Sequence, residues 1–187
     1  MAIFGTVEKT LKTGKKAKLR SAIPADAARL LEIRRIVVEE GEFMLTEPDE
    51  FDLTVERMKK SVQKHLREPG YLYLVVEVDS KLVGMVHFAN GYLHRTAHAG
   101  MLSIYVDQPW RGQGVGQFLL EGLISWSERS PLIEKLSLAV FSTNLKAMGL
   151  YEKMGFQIEG RCPRDMKLAS GDYIDSVLMY RFVDSAD

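Results

Sequence analysis

Three glycines, Gly112, Gly114 and Gly116, follow directly on Arg111 and precede an apolar-periodic stretch. A strand that feeds such a turn and then a helix builds an anion site. The first helical amides lack intrahelical acceptors, the macrodipole is positive there, and glycine lets a phosphate approach the backbone. Arg111 adds a fixed positive charge at the rim. The spacing is not the dinucleotide-binding fingerprint, which needs a glycine where Gln117 stands, nor a P-loop, which needs Gly-Lys-Ser/Thr. Further along, positions 144, 147, 148 and 151 share one helix face. Asn144, Ala147 and Tyr151 can therefore line a single groove, and the small Ala147 leaves room in it for a ligand. Taken alone, Tyr151 reads as readily as an amphipathic core tyrosine.

These residues need a scaffold, and the pattern supplies one. Residues 6–22 read as a hairpin turning at Thr13-Gly14. From Pro24 a helix carries Ala27, Leu30, Leu31 and Val38 on one face and stops near Gly41. A second runs from its N-cap Thr54 to about Arg67, with Val55, Met58, Val62 and Leu66 as its stripe. Two strands flank Asp79-Ser80, and "HAGMLSIYV" is a third that ends at the glycines. A helix, the strand "KLSLAVF", a short helix over "NLKAMGLYEKM" and the strands "GFQIEGRC" and "DYIDSVLMYRF" follow. Gly155 fits a left-handed cap of the short helix, with Phe156 folding back onto it. This order predicts one mixed α/β sheet rather than a βαβ repeat.

Composition excludes several classes. The 187 residues suit a single domain with a real core. Lys plus Arg equals Asp plus Glu at 25 each, so the basic excess of a nucleic-acid binder is missing. No stretch approaches a membrane span and no apolar run of signal-peptide length opens the chain. The single cysteine, Cys162, permits no internal disulfide. A cytoplasmic protein without a membrane or nucleic-acid partner is expected. No metal is expected either, because no His/Cys/carboxylate cluster has ligand spacing.

"RGQGVG" at 111–116 resembles the Arg/Gln-x-x-Gly-x-Gly/Ala motif of the GNAT superfamily of acetyl-CoA-dependent N-acetyltransferases. "NLKAMGLYEKMGF" at 144–156 is similar to the same family's Asn-x-x-Ala-x-x-x-Tyr-x-x-x-Gly-Phe segment. The resemblance runs from about Ala17 to the end. It implies a single domain over 1–187, with 17–187 as the acetyltransferase domain and 1–16 as a hairpin extension. The implied fold is a single mixed, mostly antiparallel sheet flanked by helices. Coenzyme A would lie with its pyrophosphate on the amides of Arg111, Gly112, Gln113, Gly114, Val115 and Gly116, with Gln117 in the first helical turn. Main-chain groups of Ile104, Tyr105 and Val106 would pair with the pantetheine, which slots between splayed strands. Asn144 would bond it from the other wall, beside Ala147. Tyr151 would protonate the departing sulfur.

The resemblance also implies direct acetyl transfer to a primary amine: a small amine, an amino acid or a peptide N-terminus. His98, read onto the central strand, is a candidate base, since imidazole side chains exchange protons near neutral pH; His87 and His94 rival it. The acceptor site should involve the loop between the first two helices. There "EEGEFMLTEPDEFD", residues 39–52, carries seven acidic residues. It would attract a cationic acceptor, or be a solvated loop balanced by the Lys-rich second helix. A non-catalytic acyl-CoA sensor is the alternative reading. A monomer or homodimer is expected.

Overall fold

A computed structural model describes residues 4–183. The strands are β1 (Val7–Thr10), β2 (Lys16–Ser21), β3 (Tyr71–Val78), β4 (Lys81–Asn90), β5 (Ala99–Val106), β6 (Lys135–Phe141), β7 (Gln157–Lys167) and β8 (Tyr173–Phe182). The α-helices are α1 (Ala27–Glu39), α2 (Val55–Arg67), α3 (Val115–Glu128) and α4 (Leu145–Lys153). Local chemistry sets their ends: the Thr54 hydroxyl accepts from the Arg57 amide to open α2, and Pro69-Gly70 follows its last turn.

The eight strands form one sheet in the order β1-β2-β3-β4-β5-β6-β8-β7. Every neighbouring pair is antiparallel except β5–β6, as the mixed, mostly antiparallel expectation requires. β3 is buried on both faces and alternates between two cores. Leu72, Leu74 and Val76 join the α3 side, while Tyr73 and Val75 join the α1/α2 side. β7 runs past the expected end at Cys162 to Lys167. Irregularities at 158–160 and 162–166 let it resume pairing with β8. No helix among the described residues is long and apolar enough to cross a membrane.

The parallel pairing of β5 with β6 is short. It covers Ala99↔Lys135, Gly100↔Leu136 and Met101↔Ser137. Beyond it β5 stays with β4 as far as Val106, while β6 stays with β8 as far as Phe141. The sheet therefore opens into a wedge, and residues 102–106 present one main-chain edge with no strand beside it.

Candidate active site

The glycine loop lies at the mouth of this wedge. Gly112 (φ +73°) and Gly114 (φ +95°, the N-cap of α3) are left-handed, and a Cβ added to either would meet nothing within 4 Å. Gly116 serves a different need, because a Cβ there would press on Leu150 of α4 at 3.1 Å. The amides of residues 112–117 have no acceptor among the described residues. Arg111 differs from expectation: its amide donates to the Gln108 carbonyl at 3.2 Å, so the row of free amides begins at Gly112. Its guanidinium is not an isolated charge at the rim either. Nε donates to the Val106 carbonyl at 3.0 Å and the fork pairs with Glu40 at 2.8 Å, tying the loop to β5 and to the end of α1. The Lys12 amide, in the first hairpin, donates to the Gln113 carbonyl at 3.2 Å, a buttress the sequence did not suggest. Gln117 bonds Glu121 and accepts from Lys153.

Ile104, Tyr105 and Val106 occupy the free edge of β5. The side chains of Ile104 and Val106 lie on the α3 side, that of Tyr105 under α1. Across the wedge, Asn144 caps α4, its Oδ1 accepting from the Ala147 amide at 3.2 Å, which leaves the two side-chain N–H groups to donate elsewhere. Tyr151 is 7% exposed, and its hydroxyl has no hydrogen-bond partner among the described residues. Phe156 and Gly155 donate to the carbonyls of Tyr151 and Glu152 in a Schellman cap, and the Phe156 ring lies 5.9 Å from that of Tyr151. Burial, with Tyr105 nearby, pushes the Tyr151 phenol up to about 12. Its proton is therefore retained at neutral pH.

The histidines fall otherwise than the sequence suggested. His98 is not on the central strand; it is exposed in the turn before β5, its carbonyl accepting from Glu134 and Lys135. Six residue steps along the strand, about 20 Å at roughly 3.3 Å each, separate it from Ile104, so the structure does not bring it to the wedge. His94 is exposed in the same turn. His87, on β4, lies under α1 and α2 within 6.2 Å of the Tyr105 ring and 5.9 Å of His65. Burial first, then His65 and Arg34, holds it down to about 3. Arg34 and His65 escaped the sequence reading, yet each left a signal. Residue 34 continues the apolar face of residues 27, 30, 31 and 38, and residue 65 that of 58 and 62. In the acidic loop, Glu40 is paired with Arg111, Asp52 with Arg57, and Glu50 accepts from the Glu47 amide. Among the described residues no group of three or more His, Cys, Asp or Glu could hold a metal ion.

An open glycine cradle with free amides, continuous with an unpaired strand edge, fits a diphosphate followed by an extended amide-bearing arm. The fold is that of the GNAT acetyltransferases. Residues 30–156 match the Acetyltransferase (GNAT) family, and the chain belongs to it. Acetyl-CoA is its co-substrate. The chain is 31% identical over 113 residues to the L-amino acid N-acetyltransferase AaaT of Escherichia coli K12, covering 60% of this chain and 69% of that protein. It is 34% identical over 122 residues to phosphinothricin N-acetyltransferase of Alcaligenes faecalis, covering 64% and 61%. The crystal structure of an acetyltransferase of GNAT family from Streptococcus pneumoniae superposes with a TM-score of 0.85 at 31% identity, covering 89% of this chain and 99% of that one.

Proposed function

We propose that the protein transfers the acetyl group of acetyl-CoA directly to a primary amine of a small molecule or a peptide N-terminus, both substrates being bound together. The observation that carries this reading is the wedge itself, with the glycine loop at its mouth and Tyr151 in the same apolar cluster as Ile104 and Val106. The amides from Gly112 to Gln117 would hold the diphosphate. The β5 edge at Ile104, Tyr105 and Val106 would align the pantetheine arm, with the free N–H groups of Asn144 opposite and Ala147 leaving space. Bound acetyl-CoA supplies an activated thioester. Tyr151 holds a proton at its phenol oxygen and would give it to the departing sulfur, while a strand amide would offset negative charge on the carbonyl oxygen. Holding both substrates in one dry groove would supply much of the remaining acceleration.

On this reading residues 17–187 are the transferase domain, and Lys12, within the 1–16 extension, props the glycine loop through Gln113. The name of the L-amino acid N-acetyltransferase AaaT favours an amino-acid acceptor. Incubating the protein with acetyl-CoA and a panel of amines while following released thiol tests the proposal. Calorimetry showing acetyl-CoA binding but no turnover with any amine would instead support a sensor.

A further inference from the structure

Three charged groups approach the end of β5 from α1 and its loop, and only two are matched. Arg29 pairs with Asp107, which follows the last residue of β5, and Glu40 pairs with Arg111, itself bonded to the Val106 carbonyl. Between these two pins stands Arg34. It is half-buried, its Cζ lies 5.5 Å from the centroid of the Tyr105 ring, and it forms no ion pair or hydrogen bond among the described residues. Its Nε is fully buried without an acceptor. The rings linked to Tyr105 on this face are those of His87, Tyr73 and His65, and Ser103 bonds its hydroxyl.

A stacked ring attracts a guanidinium but does not accept its hydrogen bonds, so a charged donor remains desolvated and unsatisfied. The second orphan in the cluster is His65 Nε2, buried with no partner while Nδ1 faces the Ser61 carbonyl. Neither histidine relieves the excess positive charge, and Tyr73 directs its hydroxyl to the sulfurs of Met58 and Met85. A half-buried cation beside the strand edge where transfer would occur is suited to an anion and repels a polyamine. Of the acidic loop, Glu40 pairs with Arg111 and Asp52 with Arg57, and none of its seven carboxylates pairs with Arg34 among the described residues.

We infer that the acceptor amine carries a carboxylate, as a free amino acid does, and that Arg34 binds that carboxylate on the α1 face of Tyr105. The inference rests on the acetyl-transfer reading above and narrows its acceptor. The guanidinium fork would take the carboxylate oxygens and so fix the amine toward the wedge.

The test uses the full chain with acetyl-CoA and three sets of acceptors: the proteinogenic L-amino acids, the carboxamide of each one that turns over, and spermidine. The expected result is that an amino acid exceeds its own carboxamide in kcat/KM by about 10- to 10²-fold, as for a charge-assisted bond. Arg34→Gln should bring that ratio close to one, and Arg34→Lys should restore part of it, with acetyl-CoA affinity unchanged by calorimetry in both. Thermal shift of the protein saturated with coenzyme A gives a second readout without turnover: the amino acid should raise Tm, its carboxamide should not, and Arg34→Gln should erase the difference. Turnover of spermidine or carboxamides at least as good as that of amino acids would overturn the inference while sparing acetyl transfer. So would a carboxylate preference that survives in Arg34→Gln. Acetyl-CoA binding without turnover of any amine would remove the underlying reading, and the inference with it.

Discussion

Tyr151 is held by its ring and not by its hydroxyl, and this separates its two possible duties cleanly. The ring packs on Phe156 under a Schellman cap, while the oxygen bonds nothing among the described residues. Tyr151→Phe should therefore leave the urea midpoint nearly unchanged, within about 0.5 kcal/mol. If the phenol protonates the leaving sulfur, kcat should fall by about 10²–10⁴ with acetyl-CoA affinity intact. The loss should shrink for an acetyl thioester of a more acidic thiol, because that sulfur needs less protonation. Normal turnover in the variant would end the assignment. Burial lifts the phenol to about 12, so its proton is retained well above neutral pH, and an alkaline loss of kcat below pH 10 should not come from this group. The shared face of Tyr151, Asn144 and Ala147 and the Gly155 cap were legible because all lie within one short helix and its end, whereas the role of Tyr151 came only from the resemblance. Arg34 was not, because a cation on an apolar face gains meaning only when the facing strand, with Tyr105, is known.

The elements themselves were largely written in local pattern: the hairpin turn, the Thr54 cap and the glycine entry to α3 all depend on residues close in sequence. The wedge does not. It exists because β5 and β6 cease pairing after Met101 and Ser137, and only the resemblance to a known family anticipated such a splay. The glycine loop gives the test at this scale. Gly114→Val places a β-branched side chain at φ +95°, where the backbone strain costs about 1–2 kcal/mol, and fills the open side of the cradle. Acetyl-CoA binding by calorimetry should be lost while the far-UV circular dichroism stays that of the folded protein; unaltered affinity would take the loop out of the site. For the acidic loop, replacing Glu47→Gln, Asp49→Asn and Glu50→Gln together keeps an oxygen to accept from the Glu47 amide. The KM for the acceptor should not rise. A rise that added salt reproduces in the wild type would mean that these charges recruit a cation after all.

At the scale of the whole molecule, the sequence could not show that β8 inserts between β6 and β7, nor which of its four histidines the fold would bury. That choice gives the protein a predictable response to acid. His65 is held below its ordinary value mainly by burial, and His87 is lowered by burial, by His65 and by Arg34. Both stay neutral in the folded protein at pH values where the unfolded chain takes up protons near 6.5. The stability linked to them is thus fully present above about pH 6.5 and lost as pH falls toward their folded values. Each should contribute a slope of up to about 1.4 kcal/mol per pH unit below that point. Urea midpoints measured from pH 7.5 to 5 should fall accordingly, before most carboxylates begin to titrate. His87→Phe keeps a ring between Tyr73 and Tyr105 and should remove at least half of that slope. His98→Gln, in the exposed turn, should leave both the slope and the rate of acetyl transfer unchanged. A wild-type midpoint that stays level over this range would mean that His65 and the half-buried His87 take up protons in the folded state as readily as in the unfolded one. A loss of rate in His98→Gln would return that residue to the reaction despite its distance from the wedge.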